Sequence, residues 1–366
     1  MNIKKITALL LIAAITFGLA ACSSSTGPES GTRIITDARG RQVEIPANVK
    51  TIIALGSGAP RIAAYLNVMD MLVGAEEYIS GGADAARDYN PVHFNELINL
   101  PFVGAGGGSG NNNGYPEEII MAAPDVILAG FDPEAADELQ AQTGIPVVSV
   151  RHTTGLASDE FYTAMRVFAG VVGAGERCEA VLAYIDSMKE DLRSRTADVP
   201  ENEKLSAYAG AVTWNGRRGF AGTYSNFGIF EAINAKNAAH DPSIEAFYEA
   251  DFESIVMWDP DVIFLDPGSM DLVNDEYNIN PGFFNSLGAV RNNRVYTMPA
   301  FNAAGTNITY AFIDAYYAGI ILFPEQFADV DIAAKANEIL TMFLGVGTYE
   351  IMARGGLYYG GIKIGG

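Results

Sequence analysis

The sequence predicts an α/β fold in which two similar α/β lobes are joined by a long bridging helix. Strand-like apolar runs alternate with helix-like segments before and after residues 158–197, and that middle stretch has no proline and a helical pattern nearly throughout. Residues 115–128 match residues 251–264 without a gap. A chain of 366 residues, 49% of them hydrophobic, fits two domains with real cores and excludes overall disorder.

The first half has the segment order of a parallel sheet. The predicted strands are residues 51–55, 71–74, 102–103, 124–129 and 145–150, and the predicted helices are residues 59–66 and 133–143. The second of these helices lies between two strands and ends at Gly144, as expected for a strand–helix–strand unit of the parallel type.

The middle of the chain predicts two consecutive helices. Ser158 is a plausible cap for the first, and Gly173 and Gly175 separate it from the second. Residues 176–196 would span about 30 Å at ~1.5 Å per residue, which is long enough to bridge two domains. Beyond residue 197 the α/β pattern resumes, with predicted strands at 205–211, 261–265 and 294–298 and helices at 225–234, 308–323 and 332–344. No structure is assigned to residues 355–366.

The internal match is a repeated unit of helix, turn and strand. Each copy has a glutamate near the start of a short helix, Glu117 or Glu253, followed by a Pro-Asp turn and an apolar strand. An ungapped match of this length indicates two lobes of similar build.

The N-terminus predicts a lipoprotein signal peptide at residues 1–21. Lys4 and Lys5 precede an uncharged stretch, residues 6–21, which is short for a membrane-spanning helix. It ends in Leu-Ala-Ala before Cys22 and resembles a bacterial lipobox, so Cys22 is the predicted lipidation site and residues 22–32 a flexible tether. The alternative is an ordinary secretory signal followed by a chance cysteine. With Cys22 lipidated, Cys178 has no partner and no disulfide is expected.

Composition excludes several classes of function. Forty-four acidic residues against 23 basic ones argue against a nucleic-acid binder. Two cysteines and three histidines are too few for a four-cysteine zinc site or a histidine-rich metal centre, so neither a resident metal nor a cofactor is predicted. The motifs G-x-S-x-G and H-E-x-x-H are absent. We therefore expect a binding protein rather than an enzyme, with a cell-envelope hydrolase as the least favoured alternative.

At the level of whole segments, the sequence resembles the substrate-binding lipoproteins of ABC importers for iron chelates, haem and cobalamin, and the related molybdate and tungstate binders. The resemblance covers residues 32–344. It is carried by the lipobox, residues 37–46, Arg61, the two repeated units, residues 237–239, residues 314–317 and residues 322–329.

This resemblance implies an N-terminal lobe at 33–157, a bridging helical segment at 158–197, a C-terminal lobe at 198–346 and a Gly/Tyr-rich tail at 347–366. It also implies a ligand in the shallow cleft between the lobes and an ABC permease dimer as partner, with Glu117 and Glu253 docking on its arginines. Such a protein is held in the cell envelope by its lipid, either on the outer side of the cytoplasmic membrane or in the periplasm. Alternatively, each glutamate only stabilises its own helix through the positive end of the helix dipole at the N-terminus.

Candidate ligand-binding residues follow the strands, where open α/β lobes bind ligands. They are Ser57, Tyr78, Tyr89 and His152 in the first lobe and Trp214, Arg217, Arg218 and Tyr224 in the second. Adjacent arginines beside a tryptophan suit a ligand with carboxylate or oxyanion groups and an apolar body. The alternatives are a solvated turn whose arginines pair with surface acids, and a histidine that is merely polar surface. The Gly-rich loop at 104–114 lacks nucleotide motifs and is either an anion cradle or a mobile loop.

These observations predict a lipid-anchored protein that captures an iron complex of the ferric-siderophore type. Molybdate or tungstate is the alternative ligand, followed by haem and cobalamin. A bare oxyanion predicts a small, basic, backbone-lined site, whereas a chelate predicts a broad aromatic cleft with one or two arginines.

Overall fold

A computed structural model describes residues 31–106, 114–153 and 155–366. The signal peptide, Cys22, most of the tether and the centre of the Gly-rich loop lie outside the described residues. Within the described ranges, every helix is too short or too polar to cross a membrane.

The first lobe is built on short parallel strands flanked by helices. A hairpin of β1 and β2 precedes a parallel sheet in the order β3-β6-β7, and β4 pairs in parallel with β5. All four residues of β3 and of β6 are buried, which explains why both read as continuous apolar runs. The elements are β1 (Thr32–Thr36), β2 (Gln42–Pro46), β3 (Ile52–Leu55), α1 (Ala59–Tyr65), β4 (Ala75–Glu76), α2 (Asn90–Leu97), β5 (Phe102–Gly104), α3 (Pro116–Ala122), β6 (Val126–Ala129), α4 (Pro133–Thr143) and β7 (Val147–Ser149).

Two consecutive helices, α5 (Asp159–Val172) and α6 (Gly175–Thr196), follow the first lobe. The Ser158 side chain accepts a hydrogen bond from the backbone N–H of Phe161, and Gly173 ends α5 at a φ of 75°. On α6, Arg177 donates to the carbonyl oxygens of Tyr65 on α1 and of Met342 on a C-terminal helix. The predicted bridging helix is confirmed, and its arginine ties the two halves of the chain together.

The second lobe contains a five-stranded sheet in the order β10-β8-β12-β13-β14, parallel except for β14, together with an antiparallel pair of β9 and β11. The strands are β8 (Ser206–Gly210), β9 (Gly222–Tyr224), β10 (Lys236–Asn237), β11 (Phe247–Glu249), β12 (Val262–Leu265), β13 (Val295–Thr297) and β14 (Gly360–Gly361). The helices are α7 (Gly228–Ala232), α8 (Phe252–Trp258), α9 (Met270–Ile279), α10 (Pro281–Ser286), α11 (Gly288–Arg291), α12 (Ile308–Leu322), α13 (Ile332–Leu344) and α14 (Tyr349–Arg354). The predicted fold class is confirmed.

The C-terminal tail is more ordered than the sequence predicted. Gly360–Gly361 forms the edge strand β14, and the Thr297 hydroxyl donates to the carbonyl oxygen of Tyr358 at 2.6 Å. Met352 on α14 is buried. A strand of two glycines has no alternation of apolar and polar side chains, so hydrophobic periodicity could not predict it.

The repeat holds at the level of single residues. The bounds of α8 and β12 are those of α3 and β6 shifted by 136 residues, and each helix ends at a left-handed residue, Ala123 or Asp259. Asp125 accepts backbone hydrogen bonds from the chain just before β3, and Asp261 accepts one from the first residue of β8. The same turn therefore fastens the same strand in each lobe.

Candidate ligand-binding cleft

Aromatic rings line a cavity beyond the carboxyl ends of the second-lobe strands. The Trp214 and Tyr224 rings meet edge to face with centroids 6.1 Å apart, and Tyr224 stacks on Phe227 at 5.7 Å. Phe301 adds a further ring 6.1 Å from Phe227. The structure thus brings together two of the predicted ligand residues, Trp214 and Tyr224.

This cavity, which we call the aromatic cleft, has a volume of about 170 Å³. Gly155 and Leu156, in the segment that leads into α5, also line it. A pocket of about 30 Å³ lies beside it and shares Tyr224 and Phe301. An open groove of about 460 Å³ continues from the Gly155 side towards Lys189 and Arg193 on α6.

The polar groups of the aromatic cleft are amides and acids. Asn226, Asn302 and Glu245 line it, and Asp266 lines the adjoining pocket. Asp266 accepts hydrogen bonds from the Thr213 hydroxyl at 3.0 Å and from backbone N–H groups, yet burial raises its pKa. Among the described lining residues of the cleft and this pocket there is no lysine, arginine or histidine.

The wall that carries Phe301 is held in place by the first lobe. The backbone N–H of Gly58 donates to the carbonyl oxygen of Ala304 at 3.1 Å. Arg61 on α1 donates to the carbonyl oxygen of Ala303 and to Oδ1 of Asn307, both at 2.8 Å. The side chain of Arg61 is only 2% exposed, so this contact is buried between the halves of the chain.

Ser57 and His152 lie on the first-lobe side of that contact. The Ser57 Oγ lies 3.0 Å from the position that a Cβ atom on Gly305 would occupy. His152 packs edge to face on Phe161, its Nδ1 lies 3.2 Å from the carbonyl oxygen of Val150, and burial lowers its pKa. Neither residue lines the aromatic cleft, and both stay predicted ligand residues.

Tyr78 and Tyr89 form a pair outside the aromatic cleft. Their hydroxyls are 2.6 Å apart, and the Arg87 guanidinium lies 3.8 Å above the Tyr78 ring. Burial raises the pKa of both phenols, so they are protonated at neutral pH. Tyr89 is buried, whereas Tyr78 lines a separate groove against α14.

Arg217 and Arg218 are paired with acids of their own lobe. Arg217 donates to Asp271 at 2.7 Å and to the carbonyl oxygen of Gly268. Arg218 donates to the carbonyl oxygen of Trp214 at 3.0 Å and lies 3.4 Å from Glu249. In this arrangement they brace the loop that carries Trp214 and do not line the aromatic cleft, so their contact with ligand stays a prediction.

Several cleft residues were missed by the sequence reasoning, among them Phe227, Phe301 and Asn302. Phe301 follows β13, and its position after a predicted strand was an available signal. Phe227 and Leu156 come from irregular segments, for which no pattern in the sequence indicates proximity to Trp214.

Glu76 makes the loop above β3 sensitive to pH. Its carboxylate accepts from the Gly56 N–H at 2.6 Å, but burial outweighs that bond and the nearby Arg87 and raises the Glu76 pKa to about 7. The folded state then binds a proton more tightly than the unfolded chain. This contribution to stability is therefore full below about pH 4.5 and is lost as the pH rises through 7.

The Glu76→Gln variant, which keeps an acceptor for Gly56, should lose this dependence. We expect the wild-type unfolding free energy to fall by about 3 kcal/mol relative to the variant between pH 4.5 and 8. Urea unfolding of both proteins across that range measures the difference. Parallel pH profiles would contradict the assignment.

The predicted docking residues Glu117 and Glu253 are both exposed at corresponding positions of the repeat. Each lies in the first turn of its helix, α3 or α8. The α3 helix begins at the carboxyl end of β5, where the Tyr115 N–H donates to the carbonyl oxygen of Val103. The α8 helix begins two residues after β11, whose Phe247 stacks on Trp214. Each glutamate therefore lies near a strand end of its own lobe.

Within the described residues, no group of three or more His, Cys, Asp and Glu side chains is arranged to hold a metal ion. Cys178 is buried on α6 as a free thiol.

Solved structures share this fold. A periplasmic solute-binding protein from Veillonella parvula is 19% identical, with a TM-score of 0.67 over 89% of this chain and 97% of the other. The molybdate-binding protein MolA of Haemophilus influenzae is 21% identical, with a TM-score of 0.65 over 86% and 98%. The TroA-like periplasmic binding protein FepB from Veillonella parvula is 18% identical, with a TM-score of 0.66 over 90% and 99%.

At these identities the likeness shows the fold of two lobes joined by a helix, while no curated protein matches the sequence. The family model for periplasmic binding proteins matches residues 52–301, which is more than half of the chain and includes both repeats and the bridging helices. The chain therefore belongs to the periplasmic binding protein family, which implies an extracytoplasmic location.

Proposed function

We propose that this protein captures a metal chelate of the ferric-siderophore type in the aromatic cleft and delivers it to its ABC permease. The observation that carries the proposal is the aromatic lining of the cleft by Trp214, Tyr224, Phe227 and Phe301. The arginines expected for a chelate site are absent from its described lining residues. Aromatic rings bind an apolar chelate body by dispersion and burial, and amides such as Asn302 fix its orientation.

A bare oxyanion is a poor fit to this lining. Oxyanions are bound by cations and by convergent N–H donors, and the acids Glu245 and Asp266 would oppose one here. The 170 Å³ of the cleft also exceeds the volume of a single tetrahedral anion. MolA was solved with molybdate, but it shares only 21% identity with this chain.

The chelator, rather than the protein, supplies the iron ligands in this proposal. Burial raises the pKa of Tyr224, so its phenol is protonated and acts as a ring surface rather than as a phenolate ligand. The protein thus works as a carrier without a resident cofactor and without catalysis. In the same proposal, lipid on Cys22 holds it at the membrane near its permease.

A thermal-shift panel tests the ligand class. The protein beginning at Ser23 is heated with a ferric trihydroxamate, a ferric tris-catecholate, haem, cobalamin, molybdate or tungstate. We expect a ferric chelate to raise the melting temperature, because ligand at 100 times its Kd adds about 2.7 kcal/mol to the unfolding free energy. A shift with molybdate or tungstate alone would favour the oxyanion alternative, and no shift with any compound would contradict both.

The Trp214→Ala variant tests the site. Removing a ring that packs on the ligand should weaken binding of the chelate that raised the melting temperature about tenfold or more. Trp258, which packs on Tyr208 outside the cleft, provides the matched control as Trp258→Phe and should keep the wild-type affinity. Equal affinities of both variants, measured by titration calorimetry, would place the ligand elsewhere.

A further inference from the structure

Two exposed apolar pairs occupy corresponding positions in the repeat. Ile120 and Met121 on α3 are 49% and 78% exposed, and Val256 and Met257 on α8 are 43% and 77% exposed. Nine large hydrophobic residues of the described chain are exposed, and these are the only two pairs adjacent in sequence among them. Single exposed hydrophobic residues are ordinary, whereas the same pair in both copies of a repeat requires a reason.

Each pair lies on the helix face of its glutamate. Ile120 and Met121 follow Glu117 by three and four residues, so the three side chains form one patch, and Val256 and Met257 stand in the same relation to Glu253. We call these the α3 patch (Glu117, Ile120, Met121) and the α8 patch (Glu253, Val256, Met257). Each patch combines one carboxylate with an apolar surface that lies about one helical turn further along the helix.

We propose that Met121 and Met257, with Ile120 and Val256, are contact residues for the permease dimer, which binds the α3 and α8 patches through two copies of one surface. This inference rests on the proposed function, in which a permease receives the ligand. A two-fold partner presents the same surface twice, and the repeat presents matching surfaces on the two lobes. That surface must combine a cation for the glutamate with an apolar pocket for the methionine.

Charge disfavours the other occupants of these patches. A second copy of the chain would bring glutamate against glutamate, since all four patches of such a pair are acidic. An anionic lipid surface would repel the same carboxylates and a chain of formal charge −21. Methionine is well suited to a protein contact, because its flexible thioether adapts to the shape of a pocket.

Photocrosslinking of the full-length lipoprotein in its own cells identifies the occupant. A benzoylphenylalanine is placed at position 121 or 257, and crosslinked peptides are mapped by mass spectrometry. We expect both positions to crosslink to one polytopic subunit of an ABC transporter. Crosslinks to a second copy of this chain or to lipid, or none above those from positions 34 and 279, would overturn the inference.

A second measurement uses that purified transporter in nanodiscs. The Met121→Ser/Met257→Ser variant should bind it roughly tenfold or more weakly than wild type, since two apolar contacts are lost. Ile34→Ser/Ile279→Ser is the matched control, because these residues are 69% and 85% exposed but lie outside the repeat. All four side chains are exposed, so both variants should keep the wild-type melting temperature.

The two proposals fail separately in this design. If the methionine variant binds the transporter as tightly as the control while wild type still binds both chelate and transporter, only the contact inference is wrong. If wild type binds neither a chelate nor an ABC transporter, the proposed function itself fails.

Discussion

The Arg61→Ala variant is expected to lose about 3–5 kcal/mol of unfolding free energy, because it leaves a buried carboxylate without its charge partner. Arg61 donates to Asp88 at 2.9 Å, and both side chains are at most 2% exposed. Asp88 also accepts from the hydroxyls of Tyr65 and Thr309, which cannot replace a positive charge. The residues of this network come from α1, from the loop before α2 and from the start of α12.

Loss of Arg61 should also loosen the wall of the aromatic cleft. Its guanidinium holds the carbonyl oxygens of Ala303 and Ala304, which lie next to Asn302 in the chain. We therefore expect weaker ligand binding in addition to lower stability, although Arg61 does not line the cleft. Urea unfolding and titration with the chelate measure the two effects on the same protein.

An exposed ion pair provides the comparison. Arg166→Ala removes a pair with Glu179 in which both side chains are more than half exposed, and it should cost about 0–1 kcal/mol. Adding Asp88→Asn to Arg61→Ala removes the unpaired charge and should restore part of the loss. Equal costs for the Arg61 and Arg166 variants would show that the buried network does not stabilise the fold.

The sequence predicted the features that depend on local pattern. The strands β3 and β6 read as apolar runs because they are buried on both sides, and α6 was predicted within one residue because its segment lacks proline and follows Gly175. The repeat was visible because equivalent turns need the same Pro-Asp pair. Trp214 and Tyr224 were selected because open α/β lobes bind ligands where strands end, and both line the aromatic cleft.

Features that depend on contacts between residues far apart in the sequence could not be predicted in this way. Arg217 and Arg218 remain predicted ligand residues, but the sequence has no local signal that they pair with Asp271 and Glu249, which lie 54 and 31 residues away. Phe301 and Leu156 both line the cleft although they lie 145 residues apart in the sequence. The role of Arg61 in joining the lobes was equally hidden, since its acceptors are more than 240 residues away.

Reversing both docking charges should abolish uptake and leave ligand binding intact. If the glutamates dock on permease arginines as the resemblance implies, each lobe of the Glu117→Arg/Glu253→Arg variant would present a cation to one of those arginines. Breaking one such charge pair at an interface costs 2–5 kcal/mol, so we expect each site to lower affinity for the permease roughly tenfold or more. Both side chains are exposed, so the fold and the aromatic cleft should be unaffected.

Glutamates at helix N-termini also stabilise their own helices, and the control must separate that effect from docking. Glu134 and Glu350 are exposed first-turn glutamates of α4 and α14 outside the repeat. Glu134→Arg/Glu350→Arg makes the same change in net charge. It also removes the same favourable charge–dipole interaction at two helix N-termini, about 0.3–1 kcal/mol each. Cells carrying this control should import the ligand at the wild-type rate, because neither residue belongs to the repeated unit. If both double variants import equally well, the two glutamates of the repeat serve only their helices and the permease binds another surface.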